Sequence, residues 1–208
     1  MVVIHYTAMT STAAALKALC DPRREVSAHY LIAEDGEVLS LVPEALRAWH
    51  AGAGRWGAVT DVNSRSIGIE LANDGFSPFA ARQMDALVAL LRGILARWNI
   101  PPERIIGHSD MAPTRKIDPG TRFDWQRLSR QGLAVWPNVP RCTGPGDMTT
   151  FAHAAARFGY DPDLSPEQMF HAFALRFRPP GNVPSAMADA MIADLADRYP
   201  VDANPTWV

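Results

Sequence analysis

The sequence predicts a mixed α/β fold of the α+β kind, followed by a small three-helix unit. Three observations carry that reading. Short β-prone runs recur through residues 2–108, one long amphipathic helix interrupts them, and three apolar helical stripes occupy residues 149–208. The composition agrees: 208 residues with 48% apolar and 20% charged side chains suffice for one well-buried core plus a small second domain.

Val2-Val3-Ile4 is a β-branched run suited to a central strand, and it ends in the polar group His5-Tyr6-Thr7. Ser11 is placed to cap a helix over Ala13–Leu19, closed by Asp21-Pro22. His29–Ala33 and Glu37–Val42 flank Asp35-Gly36 and predict a hairpin. From Trp49 to Asn63, glycines and two tryptophans predict a long surface loop with large side chains to present. Ser66–Leu71 returns to strand. Ser77-Pro78 then opens a helix running to about Trp98, with Leu87, Leu90, Leu91, Ile94 and Leu95 as its apolar stripe. Pro101-Pro102 breaks the helix, and Ile105-Ile106-Gly107-His108 predicts a further short strand before an irregular stretch to Gly120.

Residues 131–148 are rich in Pro and Gly without periodicity and predict a linker between domains 1–130 and 149–208. In the second domain, Phe151, Ala155 and Phe158, then Phe170, Phe173 and Phe177, then Met187, Met191, Leu195 and Tyr199 mark three helix faces.

Several function classes are disfavoured. A net charge of −2 offers no surplus to neutralise phosphates, so nucleic acid is not an expected partner. No segment approaches the roughly 18 apolar residues of a membrane span. No phosphate-cradling loop, dinucleotide fingerprint or serine-hydrolase elbow is present. Cys20 and Cys142 lack metal-ligand spacing and read as free thiols, with a distant disulfide as the alternative. No basic and apolar leader opens the chain, which sets the expectation of a cytoplasmic protein; the alternative is the periplasm or cell envelope.

Two imidazoles and a carboxylate, His5, His108 and Asp118, are the residue types of a catalytic metal site that keeps one position for water. Singly, each has a plainer role. A histidine after a strand commonly serves as a hydrogen-bonding group, and an aspartate before Pro119-Gly120 suits a turn. Glu70 ends an otherwise apolar strand, where an unpartnered carboxylate costs several kcal/mol. If the segment is extended, Lys116 points to the same side as Asp118.

Five stretches in order carry a family resemblance: Ile4–Ala8, Val26–Tyr30, Trp49–Gly52, Asn63–Leu71 and Gly107–Gly120. Together they resemble the type 2 N-acetylmuramoyl-L-alanine amidases, in the AmpD/AmiD-like branch, over residues 2–125. The resemblance implies a mixed, mainly antiparallel sheet flanked by helices. It also implies one zinc ion on His5, His108 and Asp118, with Glu70 as acid/base and Lys116 as the oxyanion-stabilising cation. The donor chemistry alone permits several metals; the resemblance selects zinc. The implied substrates are peptidoglycan fragments or muropeptides, with no obligate protein partner. Trp49, His50, Trp56, Asn63 and Arg115 are candidate sugar or peptide contacts, with loop packing as the alternative. His29 is expected to support the site or its strand without binding metal. The last sixty residues resemble, more loosely, the helical peptidoglycan-binding domain of AmiD-like enzymes; a purely stabilising appendix is the alternative. Two other functions stay open: a muropeptide-binding protein without activity, and a lytic amidase of intact wall.

Overall fold

Val2, Val3 and Ile4 are fully buried, as expected for a run of β-branched residues covered on both faces. They form strand β1 (Val2–Tyr6) in a computed structural model that describes residues 1–181 and 185–202. Helix α1 (Thr12–Leu19) follows, and the Ser11 hydroxyl accepts the Ala14 N–H at its start. The hairpin forms as expected from Asp35-Gly36, pairing β2 (Tyr30–Ile32) with β3 (Val38–Ser40). Next come β4 (Ile67–Leu71) and helix α2 (Ala81–Trp98). That helix begins later than Ser77-Pro78, because the Ser77 hydroxyl and N–H both bind the Asp74 carboxylate in a local turn. Strand β5 (Ile105–Gly107) then leads into the one-turn helix α3 (His108–Met111), and α4 (Trp125–Ser129) follows.

The five strands lie in the order β3-β2-β4-β1-β5. The expected mainly antiparallel character is not what is observed. The pairs β1–β4, β1–β5 and β2–β4 are parallel, and only the β2–β3 hairpin runs antiparallel. The connections explain this: α1 lies between β1 and β2, and α2 between β4 and β5, so each chain crosses the sheet before re-entering in the same direction. A tight turn, which reverses direction, occurs between strands only at Asp35-Gly36.

Alternation along β1 splits the core. Val2 and Ile4 join Ile67, Ile69 and Ile105 against Met84, Leu87, Leu91 and Ile94 of α2. Val3 and Ile106 face the other way, into a second cluster built on three helices, α5 (Met148–Phe158), α6 (Pro166–Phe177) and α7 (Ala186–Arg198). The three predicted stripes form this bundle's interior, and its aromatic residues also enclose Trp56 from the Trp49–Asn63 loop. In the proline- and glycine-rich stretch, Leu133, Ala134 and Val135 are buried. No helix among the described residues is long and apolar enough to cross a membrane.

A buried ion pair ties the bundle to α3. The Asp110 carboxylate accepts the Gly107 N–H at 2.7 Å, the Arg176 guanidinium at 2.8 Å and the Tyr160 hydroxyl at 2.9 Å. Arg176 also donates to the Ile105 carbonyl and stacks over Trp125 with its carbon 4.3 Å from the ring centre. Both charged side chains are about 1% exposed. Removing one partner strands the other charge, so Asp110→Ala is expected to cost about 3–5 kcal/mol, measured by urea unfolding.

Candidate metal centre

His5 lies two residues beyond Val3 on the same face of β1, past the reach of the bundle, and it opens onto a cavity of about 350 Å³. Glu70 is its register partner on β4, so both side chains project from adjacent strands to that face. His108 starts α3 directly after β5. Asp118 sits on the following loop, which is held to α3 because the Ser109 N–H donates to the Asp118 carbonyl at 2.9 Å. Parallel pairing of β1 with both β4 and β5 thus brings three distant segments to one end of the sheet.

The three expected ligands converge. His5 Nδ1 is 2.9 Å from His108 Nδ1, and Asp118 Oδ2 lies 3.0 Å from each of them. All three residues are buried. His108 Nε2 is 2.9 Å from the Ala51 carbonyl, which can only accept, so the ring proton sits on Nε2 and the Nδ1 lone pair faces His5. Such a cluster of lone pairs is mutually repulsive without a cation among them. Imidazole and carboxylate donors closing on one point fit a divalent metal ion, so this site could hold one.

The electrostatics agree with that role. Burial, reinforced by the neighbouring His108, pushes His5 down to about 4, against the opposing pull of Asp118. The ring is therefore neutral and able to ligate near pH 7. Burial disfavours the Asp118 anion, but the neighbouring His108 and His5 imidazoles overcome it and hold its carboxyl below the usual range. Glu70 moves the other way. Burial first and the Asp118 charge second raise it to about 8, with Lys116 pulling against both. Its Oε2 is buried and finds no hydrogen-bond partner among the described residues. A carboxyl balanced near neutrality beside a metal-type donor set is suited to proton transfer. Lys116 lines the same cavity as Glu70 and Asp118.

The expected substrate contacts divide. Trp49 is 53% exposed at the cavity mouth, and Arg115 lines the cavity while donating to the carbonyls of Ala51 and Ala53. Asn63 spends its side-chain oxygen on the N–H groups of His50 and Ala51, at 3.0 and 2.8 Å, and so shapes the loop. His50 touches the cavity, but both its ring nitrogens meet protein partners, His5 and Ser66. Trp56 corrects the expectation of a presented side chain. It is 0% exposed and packs edge-on against Phe158 and Tyr160, because the bundle offers its indole more apolar surface than the loop does. His29 is also no ligand: it accepts the Gly68 N–H and faces the Leu46 carbonyl, stitching β4 to the neighbouring loop.

Sequence reasoning passed over α1 as a cavity wall, where Ala15, Ala18 and Leu19 contribute, and over Arg24, Val26 and Ile117 at the rim. The 46% and 55% exposure of Val26 and Ile117 becomes meaningful only beside Trp49, where they form an apolar lip.

Comparison with known proteins gives a consistent result. Residues 1–121 match the family model described as N-acetylmuramoyl-L-alanine amidase. The chain is 39% identical to the N-acetylmuramoyl-L-alanine amidase AmiD of Escherichia coli over 86% of its own length and 75% of that protein's. It superposes on AmiD in complex with anhydro-N-acetylmuramic acid-L-Ala-D-gamma-Glu-L-Lys with a TM-score of 0.87 and 37% identity, covering 96% of this chain and 89% of the other. AmpDh3 of Pseudomonas aeruginosa in complex with anhydromuramic pentapeptide gives a TM-score of 0.84 at 30% identity, over 97% and 92%. The 1,6-anhydro-N-acetylmuramyl-L-alanine amidase AmpD of Enterobacter cloacae is 44% identical over 50% of this chain and 55% of its own.

Proposed function

This chain belongs to the N-acetylmuramoyl-L-alanine amidase family, and from that premise we propose that it is a zinc amidase whose metal is held by His5, His108 and Asp118. The scissile bond is the amide between N-acetylmuramic or 1,6-anhydro-N-acetylmuramic acid and L-alanine. The observation that carries this reading is the convergence of the three donor atoms at 2.9–3.0 Å beside a carboxyl with an unpartnered oxygen. Zinc in such a site supplies Lewis acidity, activating water and polarising a carbonyl oxygen.

Every other step belongs to residues of this chain. With a cation on the donor set offsetting the burial that otherwise keeps its carboxyl protonated, Glu70 would take the proton of the attacking water at Oε2. The same carboxyl then returns that proton to the departing L-alanine nitrogen. Lys116, which lines the same cavity from the loop that carries Asp118, would offset with its ammonium the negative charge that grows on the carbonyl oxygen. Trp49, Val26 and Ile117 give the sugar an apolar rim, and Arg115 and Arg24 offer charge to stem-peptide carboxylates.

The testing experiment is digestion of anhydro-muropeptides and of purified sacculi side by side, with zinc measured on the same sample. The expected result is one zinc per chain and release of L-alanine-terminated peptide from the anhydro-muropeptide. Zinc-loaded protein that binds fragments without releasing peptide would overturn the mechanism. Release from sacculi alone would move the substrate to intact wall.

A further inference from the structure

The geometry points to His50 and Ser66 as positioning residues that hold His5 in the one tautomer able to ligate metal. This inference rests on the reading of His5 as a ligand and extends it to two residues outside the donor set.

The deduction follows single protons. The Ser66 hydroxyl has one, and its oxygen lies 2.5 Å from the Val62 carbonyl, which can only accept. That proton is therefore committed to Val62, and Ser66 Oγ turns a lone pair toward His50 Nε2, 3.2 Å away. His50 must donate from Nε2, so as a neutral ring it keeps Nδ1 bare. His50 Nδ1 in turn lies 3.0 Å from His5 Nε2, which must donate to it. The only nitrogen of His5 left with a lone pair is Nδ1, the atom that faces His108 and Asp118. The opposite order would set the Nε2 lone pair of His50 against an oxygen whose proton is already spent.

The fold makes this string stiff. The His50 ring rests directly on β4 at Gly68, where a Cβ would fall 2.3 Å from the ring's Cγ. From the other side, Asn63 Oδ1 holds the backbone N–H groups of His50 and Ala51. His5 and His50 meet edge to face with ring centres 5.1 Å apart. Ligand orientation is thereby set by a loop and a strand rather than by the ligand's own rotamer, and the Ala51 carbonyl at the next loop position gives His108 the matching constraint.

Loss of such an outer partner typically lowers metal affinity or activity by about 10–100-fold. Ser66→Ala and His50→Gln are accordingly expected to weaken zinc binding by at least about tenfold in competition with a chelator, with melting temperature followed as a control on folding. The tautomers are read directly from imidazole 15N shifts of the zinc-loaded wild-type protein, where His50 is expected to carry its proton on Nε2. His50 protonated on Nδ1, or both variants retaining zinc within twofold of wild type, would overturn the proposal. A wild-type protein that binds no zinc would instead sink the metal reading itself, and the His50 shifts still report whether the string runs from Ser66 to His5.

Discussion

Asp118→Ala protein will purify without stoichiometric zinc and without measurable amidase activity, while remaining folded. The expectation follows from donor count. The proposed donor set has three members, and a catalytic zinc there would need all three so that the remaining position can serve water. With Asp118 gone, two imidazoles remain with their Nδ1 atoms 2.9 Å apart, and the donor set holds no anion to offset the ion's charge. His5→Ala and His108→Ala remove a ligand in the same way. Folding should survive, because Asp118 makes its loop contact through its backbone carbonyl rather than its carboxylate. Metal analysis after gel filtration, paired with an anhydro-muropeptide assay, checks the result. Full zinc occupancy in the Asp118 variant would mean that the donor set has been misidentified.

Glu70→Gln separates chemistry from metal binding. The amide keeps the size of the side chain but cannot accept a proton, so kcat is expected to fall by about 10² to 10⁴ while zinc stays bound. Undiminished turnover would remove Glu70 from the mechanism. The same variant carries a pH signature. The folded protein raises this carboxyl from its ordinary value of 4.5 to about 8, so the metal-free native state binds the proton more tightly than the unfolded chain. That contribution to stability is fully present below pH 4.5 and is lost as pH rises through 8. Urea unfolding with zinc chelated should therefore find Glu70→Gln more stable than wild type at pH 9 and nearly equal to it at pH 4. A wild-type advantage at pH 9 would contradict the buried, unpartnered placement of Oε2.

The Asp110 ion pair and the imidazole string would constrain two different members of the proposed donor set, His108 and His5, from opposite directions. Asp110 closes the first turn of α3, whose first residue is His108, and is itself held by Arg176 and Tyr160 from the bundle. Ser66 and His50 reach His5 from β4 and the tryptophan loop. Neither constraint uses a residue that the ligand motifs alone single out for that work.

Much of the site was legible from residues in order. The β-branched run before His5, the strand ending at Glu70 and the Gly107–Gly120 segment are local patterns, and local patterns survive in a one-dimensional reading. The Asp35-Gly36 hairpin was legible for the same reason, since a short glycine-containing turn, here the three residues between Ala33 and Glu37, brings the flanking strands side by side. Contacts between residues 103 and 113 positions apart, such as His5 with His108 and with Asp118, have no local signature beyond the motif that names them.

The sequence by itself marked His5, His108, Asp118, Glu70 and Lys116 as the candidates for the chemistry, through five ordered motifs that resemble an amidase family. It also located the longer helices and the strands to within a few residues, but not the short helices α3 and α4, which fall where an irregular stretch was expected or no element was. Tertiary structure alone decided the parallel direction of three of the four strand pairings, the burial of Trp56, and the turn of His50 toward His5. The physical reason is common to all three. Strand direction depends on where the connecting chain crosses the sheet, and a side chain is buried or bonded according to what packs on it from distant segments. A tryptophan on a glycine-rich loop reads as a surface side chain until a bundle far along the chain supplies Phe158 and Tyr160 to cover it.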